Sequence, residues 1–248
     1  IWYVLINTRY ACIWCFHRIS EQTGQLIRWN AGVNTGFGGS AGSRTSQLTL
    51  LQSALLQLTQ SGVLTEGDFT PSMANYDLGL HCMPVTWVRA TMLVRCNHLL
   101  RGHSGVCLEV IDAIIRLLQK GLIPIIPLRG SVSASGDLMP LSYIGGVLEG
   151  NPDIKVRWQK GPESRVISAK EALKIAGLSP IVLGPKEGLG VVNGTAVSAA
   201  VAALAAYDAN QLAVLSQILT AMSCEALSGT AENYHPFIAE IRPHVGQI

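Results

Sequence analysis

TAVSAAVAALAAYDANQLAVLSQILTAMSCEAL, residues 195–227, is Ala-rich and apolar almost all the way round a helical wheel. A surface helix keeps one polar face, so a helix without one is expected to be buried on every side. Nothing on either flank alternates strand with helix, and the class is therefore mainly α. Upstream, Thr45 or Ser46 can cap a helix ending at Gly62, with Leu48, Leu51, Leu55 and Leu58 on one face. Pro84 can open a second, with Val85, Val88, Met92, Cys96 and Leu99 on its buried stripe. Ser104 can cap a third that runs to Gly121 through Val110, Ile114 and Leu117 or Leu118. Ser168-Ala-Lys-Glu171 fits a capping box before a short helix ending at Gly177. Between these, GLIPIIPLRGSVSASGD (121–137) carries two prolines and several β-branched residues, and is expected to be irregular or briefly extended. Residues 151–167 are polar and read as a surface loop. The sequence gives no internal repeat and no domain boundary.

Composition narrows the function. Apolar residues make up 48% and charged residues 14% of the 248, as in a well-buried globular protein or a piece of a larger assembly. A formal charge of +2 gives no basic field for nucleic acid. The six cysteines (Cys12, Cys15, Cys82, Cys96, Cys107 and Cys224) are scattered without a disulfide framework, which fits a reducing compartment, expected to be the cytoplasm. Cys12 and Cys15 form a CxxC followed by His17, but no second ligand pair follows, so no metal is expected. The first twenty residues are apolar yet interrupted by Arg9, His17 and Arg18, short of the roughly 20 residues a spanning helix needs; no membrane partner is expected. The sequence starts at Ile1 and stops in mid-pattern at Ile248, as expected of a fragment.

Three Gly-containing segments bear on chemistry. GVNTGFGGS (32–40) lacks the Lys-Ser/Thr ending of a phosphate loop. GLGVVNGT (188–195) has its third glycine one place too late for a dinucleotide fingerprint, and no acidic residue follows at the right distance; no nucleotide is expected. The third, GSVSASGDLMPLS (130–142), contains Ala134-Ser135-Gly136. In a tightly bent backbone the nitrogen of Gly136 can attack the carbonyl carbon of Ala134, since glycine permits the approach and the dihedrals. Ring closure with loss of water, then loss of the Ser135 hydroxyl as a second water, leaves a 4-methylidene-imidazol-5-one (MIO). This is a strong electrophile of a kind that no side chain supplies. A bare Ala-Ser-Gly is ordinarily inert, so the surroundings must template the reaction.

The run GSVSASGDLMPLSYIGG (130–146) resembles the signature of the phenylalanine/histidine ammonia-lyase family, the aromatic amino acid ammonia-lyases. GVNTGFGGSAGSRT (32–45) resembles that family's inner active-site loop, and MPVTWVRATMLVRCNHLLRGHSGV (83–106) the helix pair preceding the signature. NPDIKV (151–156), PKEGLGVVNGTAVSA (185–199) and RPHVGQ (242–247) fit in the same order, with particular likeness to the fungal phenylalanine ammonia-lyases. The resemblance implies a helical-bundle fold with an irregular Gly/Pro-containing core, a homotetramer, and active sites assembled from several subunits. It implies a partial catalytic domain over residues 30–248 lacking the C-terminal portion, preceded by a non-matching segment, 1–29.

The family's site residues carry over one by one. Ala134, Ser135 and Gly136 match the triad that forms the MIO group. Asp137, which follows it, has two readings: help in the cyclisation, or a capping carboxylate for the next helix. Asn193 matches the family's Asn beside the electrophile, where an amide can bond the ring oxygen and orient the substrate amine. By its own sequence, apart from the resemblance, Asn193 reads rather as a turn residue stabilising its loop. Leu58 and Thr59 match the substrate-selectivity pair. A leucine cannot bond a tyrosine hydroxyl, so a bare phenyl ring is favoured; Leu58 also reads as an ordinary core residue of its helix. The departure is Ala31, where the family has a tyrosine acting as base on the β-proton.

The expected function is non-oxidative deamination of L-phenylalanine to trans-cinnamate and ammonia, with the amine or the ring of the substrate adding to the electrophile. The alternatives are an inactive truncated remnant, a histidine or tyrosine ammonia-lyase, and an aminomutase of the same family. With Ala31 and an incomplete set of site residues, this chain alone is expected to be inactive.

Overall fold

The computed structural model describes residues 32–64, 81–132, 136–161 and 163–247. The N-terminal segment, the Cys12/Cys15 pair, Ala31, Ala134 and Ser135 lie outside the described residues. Contacts within the chain divide it after Ala202 into two compact units, although the sequence marks no boundary there.

In the first unit the helices are α1 (Leu48–Thr59), α2 (Val85–Leu100), α3 (Leu108–Gln119), α4 (Leu138–Glu149), α5 (Ala169–Ala176) and the short α6 (Glu187–Val192). Their buried stripes merge into one core running from Leu56 through Met92, Ile114, Ile144 and Val191 to Val197. On α2 the expected stripe is buried at Val88, Met92, Cys96 and Leu99, and it also takes in Thr91 and Arg95. α4 is buried on all sides from Met139 to Leu148, so the helix that begins directly after the Ala134-Ser135-Gly136 triad and Asp137 is deeply enclosed. The capping box at Ser168 forms, with Ser168 Oγ accepting from Glu171 N at 3.2 Å, and α5 ends in a left-handed Gly177.

Four expectations are corrected. Residues 151–167 are not a loop. Lys155–Lys160 (β2) and Glu163–Ser168 (β3) form an antiparallel hairpin, and β2 also pairs with Leu122–Pro124 (β1). The opposed pair Val156 and Ile167 is buried, which is enough apolar surface to hold a strand pair that otherwise reads as polar. Ser104 does not cap α3; the backbone nitrogen of Cys107 donates instead to Glu187 Oε1 at 2.7 Å, a cap delivered from a distant carboxylate. On α1 the buried face is Gln52, Leu55 and Leu56, not a leucine row, and Leu58 is 64% exposed. The buried place goes to Gln52 because its amide meets two backbone groups described below.

The fourth correction concerns residues 195–227. They do form one helix, α7 (Ala196–Ala226), but only Ala196, Val197 and Ala200 are buried in this chain. In the second unit the rest of α7 and the helix α8 (Pro236–Ile241) expose Leu212, Leu215, Ile218, Leu219, Met222 and Phe237. Complete burial of an apolar helix needs neighbours on every side, and the described residues provide them only at its first turns. Glu187–Ala226 contains an 18-residue window of mean hydropathy 1.7, so by length and composition alone it passes as a segment able to cross a membrane.

Candidate active site

Short α6 is the element around which the predicted loops gather. Six residues cannot hold a helix alone, so its ends are secured by side chains from elsewhere. At its start, Glu187 accepts from Gly184 N and from Cys107 N, both at 2.7 Å. Lys186, at φ +71°, donates its backbone N–H to the carbonyl of Gly32 at 2.8 Å. Gln52, fully buried, completes the attachment: its Nε2 donates to Gly32 O at 3.0 Å and its Oε1 accepts from Gly188 N at 3.1 Å. The inner loop is therefore clamped to α6 at Gly32, the residue after Ala31. Only glycine fits at 32: its φ is +74°, and a Cβ there would come within 2.8 Å of Leu189 Cβ.

At the other end of α6 sits Asn193, its backbone nitrogen donating to Leu189 O at 3.0 Å. Arg95, inside the α2 stripe, holds this turn. Its Nε donates to Val191 O at 2.9 Å and its Nη2 to Asn193 O at 3.0 Å and to Gly190 O. Burial pushes the Arg95 guanidinium down to about 10, still charged at neutral pH. The Asn193 side chain does not bond its own loop. It lies against the signature segment: a Cβ on Gly136 would overlap Asn193 Oδ1 and stand 3.2 Å from Gly194 N. The next residue, Asp137, donates its backbone N–H to Gly194 O at 3.2 Å. Two separated pieces of chain thus meet backbone to backbone.

Asp137 is buried at the N-terminus of α4, but its carboxylate makes no cap hydrogen bond; it accepts from the Ser131 hydroxyl, at the other side of the triad. The capping reading is therefore corrected: the carboxylate braces the loop rather than the helix. The upstream edge of that loop meets the tail of α1. Val63 N donates to Arg129 O at 3.1 Å, and Gly130, at φ +114°, leaves no room for a Cβ beyond the 3.0 Å to Ser61 O. Thr59 is tied back to its own helix, donating to Leu55 O and Leu56 O at 3.0 Å each, while Leu58 stands exposed. The structure so brings Asn193 to Gly136 and the end of α1 to the start of the signature. Sequence reasoning missed Arg95, Gln52 and Glu187. Arg95 sits at helical spacing within an apolar stripe, and Gln52 follows Leu51 in a leucine-rich helix; a polar residue in each such place was the available signal.

The residues present fit a backbone-derived group at 134–136. The site demands glycine at 136 because another chain segment occupies the space of a side chain, and the flanking Ser131, Asp137 and Gly194 fix both ends of the loop.

A mainly helical fold with a site built from packed backbone loops defines a narrow class. The family model described as "Aromatic amino acid lyase" matches residues 29–248, and this chain belongs to that family. It is 54% identical over 221 residues to a phenylalanine ammonia-lyase of Aspergillus hancockii, covering 88% of this chain and 31% of that protein. It is 56% identical over 217 residues to a phenylalanine aminomutase (L-beta-phenylalanine forming) of Talaromyces islandicus, covering 88% and 30%. Among solved structures, phenylalanine ammonia-lyase from the yeast Rhodosporidium toruloides superimposes with a TM-score of 0.79 at 39% identity, covering 98% of this chain and 33% of that one. The chain spans about a third of the length of the relatives it matches.

Proposed function

We propose that this chain carries the electrophile-forming part of an aromatic amino acid ammonia-lyase, and that the complete enzyme converts L-phenylalanine to trans-cinnamate and ammonia. The observation that carries the reading is the seating of Gly136 against the Asn193 amide, at a point where no other residue fits. A methylidene-imidazolone formed at Ala134-Ser135-Gly136 supplies an electron sink for cleavage of the C–N bond. Asn193, Ser131 and Asp137 are the residues that would hold it. The Asn193 amide, exposed and unattached to its own loop, is in reach of both the loop and an incoming amino group. Leu58 and Thr59 would meet the substrate's ring, where leucine favours phenylalanine over tyrosine. Position 31 would need a base for the β-proton, and alanine offers none.

The exposed apolar residues of α7 support a homotetrameric assembly in which partner helices cover them, and the alignment of 98% of the chain to a crystal structure of the family favours a bundle helix over a membrane span. A cytoplasmic location fits Cys96 and Cys224, which form no disulfide among the described residues. The test uses a hybrid enzyme in which residues 32–248 replace the matching segment of the Rhodosporidium toruloides enzyme. It should release cinnamate, read by its ultraviolet absorbance, from phenylalanine; a folded hybrid that releases none overturns the reading. The 56% identity to an aminomutase favours a second reading, in which the amine returns at the β-carbon. Chromatography for β-phenylalanine separates the two.

A further inference from the structure

We infer that Arg95 is a positioning residue of the reaction: it holds the Asn193 backbone so that the Asn193 amide stays against Gly136. The inference rests on the reading of 134–136 as the electrophile and of Asn193 as its partner.

Three features of the geometry carry it. First, all of the carbonyls that Arg95 engages, those of Gly190, Val191 and Asn193, belong to one turn, the C-terminal turn of α6. Those are the acceptors a helix end leaves without partners, and a cation there is favoured by the helix dipole. Second, Arg95 is 3% exposed on a stripe whose other buried residues, Thr91 apart, are apolar, and no carboxylate among the described residues pairs with it. An apolar residue would fill that place without the cost of burying a charge. What only a guanidinium provides is a planar fork that reaches several carbonyls at once; the point charge of a lysine does not. Third, the contact continues into the site. A Cβ on Gly194 would collide with the Arg95 guanidinium, and the Gly194 carbonyl accepts from Asp137 N at 3.2 Å, next to Gly136. Arg95 touches no substrate in this account; it acts through Asn193.

The test is a double-mutant cycle in the hybrid enzyme: Arg95→Lys, Asn193→Ala and both together. Readouts are kcat and KM for phenylalanine, circular dichroism, and the fraction of chains lighter by the mass of two waters. Arg95→Lys should keep the helical spectrum and lower kcat by about 10- to 100-fold with little change in KM, because misplacement of a catalytic group by about 1 Å costs this much. The double variant should be no slower than Asn193→Ala by more than about twofold, since residues acting as one unit are not additive. A purely structural role predicts the full product of the two losses, and that result, or an undiminished kcat in Arg95→Lys, overturns the inference. Where Arg95→Lys fails to fold, Gly194→Ala displaces the guanidinium while keeping its charge and should give the same selective loss of kcat; unchanged kcat there overturns it too. If Asn193→Ala itself turns over like the parent, or the parent lacks the mass deficit, the underlying reading of the site has failed and the inference falls with it.

Discussion

Asn193 Oδ1 occupies the volume that a side chain on Gly136 would enter, so the amide of one loop and the backbone of another exclude each other's variation. The Asp137 N–H to Gly194 carbonyl bond locks the two in register. Gly136→Ala should therefore displace the Asn193 amide and leave the loop uncyclised. Intact-mass spectrometry should find that variant at its full sequence mass; normal dehydration with alanine at 136 would contradict the packing.

Substrate choice should follow Leu58. Its exposure in this chain leaves its side chain available to a surface that the core does not claim, in keeping with the proposed place at the substrate's ring. In the hybrid enzyme Leu58→His should raise kcat/KM for tyrosine relative to phenylalanine by about 10-fold or more, because a buried hydroxyl left without a partner is strongly penalised. An unchanged ratio removes residue 58 from the ring pocket.

Much of this was readable from residues alone. The buried stripe of α2, the capping box of α5 and the 121–132 stretch, extended at β1 and irregular beyond it, follow from local chemistry, which acts over a few residues. Leu58 misled because counting leucines ignores what a buried polar residue can bond; Gln52 takes the inward place through Gly32 and Gly188, both far away in sequence. The β2–β3 hairpin was hidden because only Val156 and Ile167 carry its burial. Glu187 capping α3 and Arg95 capping α6 are long-range bonds, with no periodicity to announce them. The apolar circumference of α7 reads as a demand for burial on every side, and among the described residues only Ala196, Val197 and Ala200 have it met.

Ala31 leads to a rate prediction. Gly32 is clamped by Gln52 and Lys186, so the neighbouring position adjoins a fixed backbone. A hybrid that begins at residue 31 of this chain, and so carries Ala31, should form the electrophile, since ring closure uses atoms of 134–136, and yet turn over slowly. Ala31→Tyr should raise kcat by roughly 10²–10⁴-fold as a general base is supplied. Full activity with alanine in place would refute both the match of this loop and the role of its tyrosine.

Glu149, at the end of α4, is partly buried and accepts from Ser53 Oγ at 2.6 Å. Burial raises its carboxyl above the ordinary value, and the Ser53 bond offsets only part of that. A folded-state pKa above the unfolded one favours the neutral acid in the fold. Its stabilising contribution is thus full below the unfolded value, near 4.5, and is lost as pH rises through the folded one. Glu149→Gln keeps the acceptor without the charge. It should raise Tm at pH 7 and bring no gain at pH 4; an equal effect at both pH values would show that ionisation of Glu149 is not what matters.

The central claim is that Ala134-Ser135-Gly136 becomes an electrophile by dehydration. Intact-mass spectrometry of the hybrid enzyme tests it most directly. The chain should be lighter than its sequence mass by two waters, about 36 Da, as covalent rearrangement of the loop requires, and Ser135→Ala should abolish that deficit. A parent at its full sequence mass, or a deficit that survives Ser135→Ala, would contradict the account.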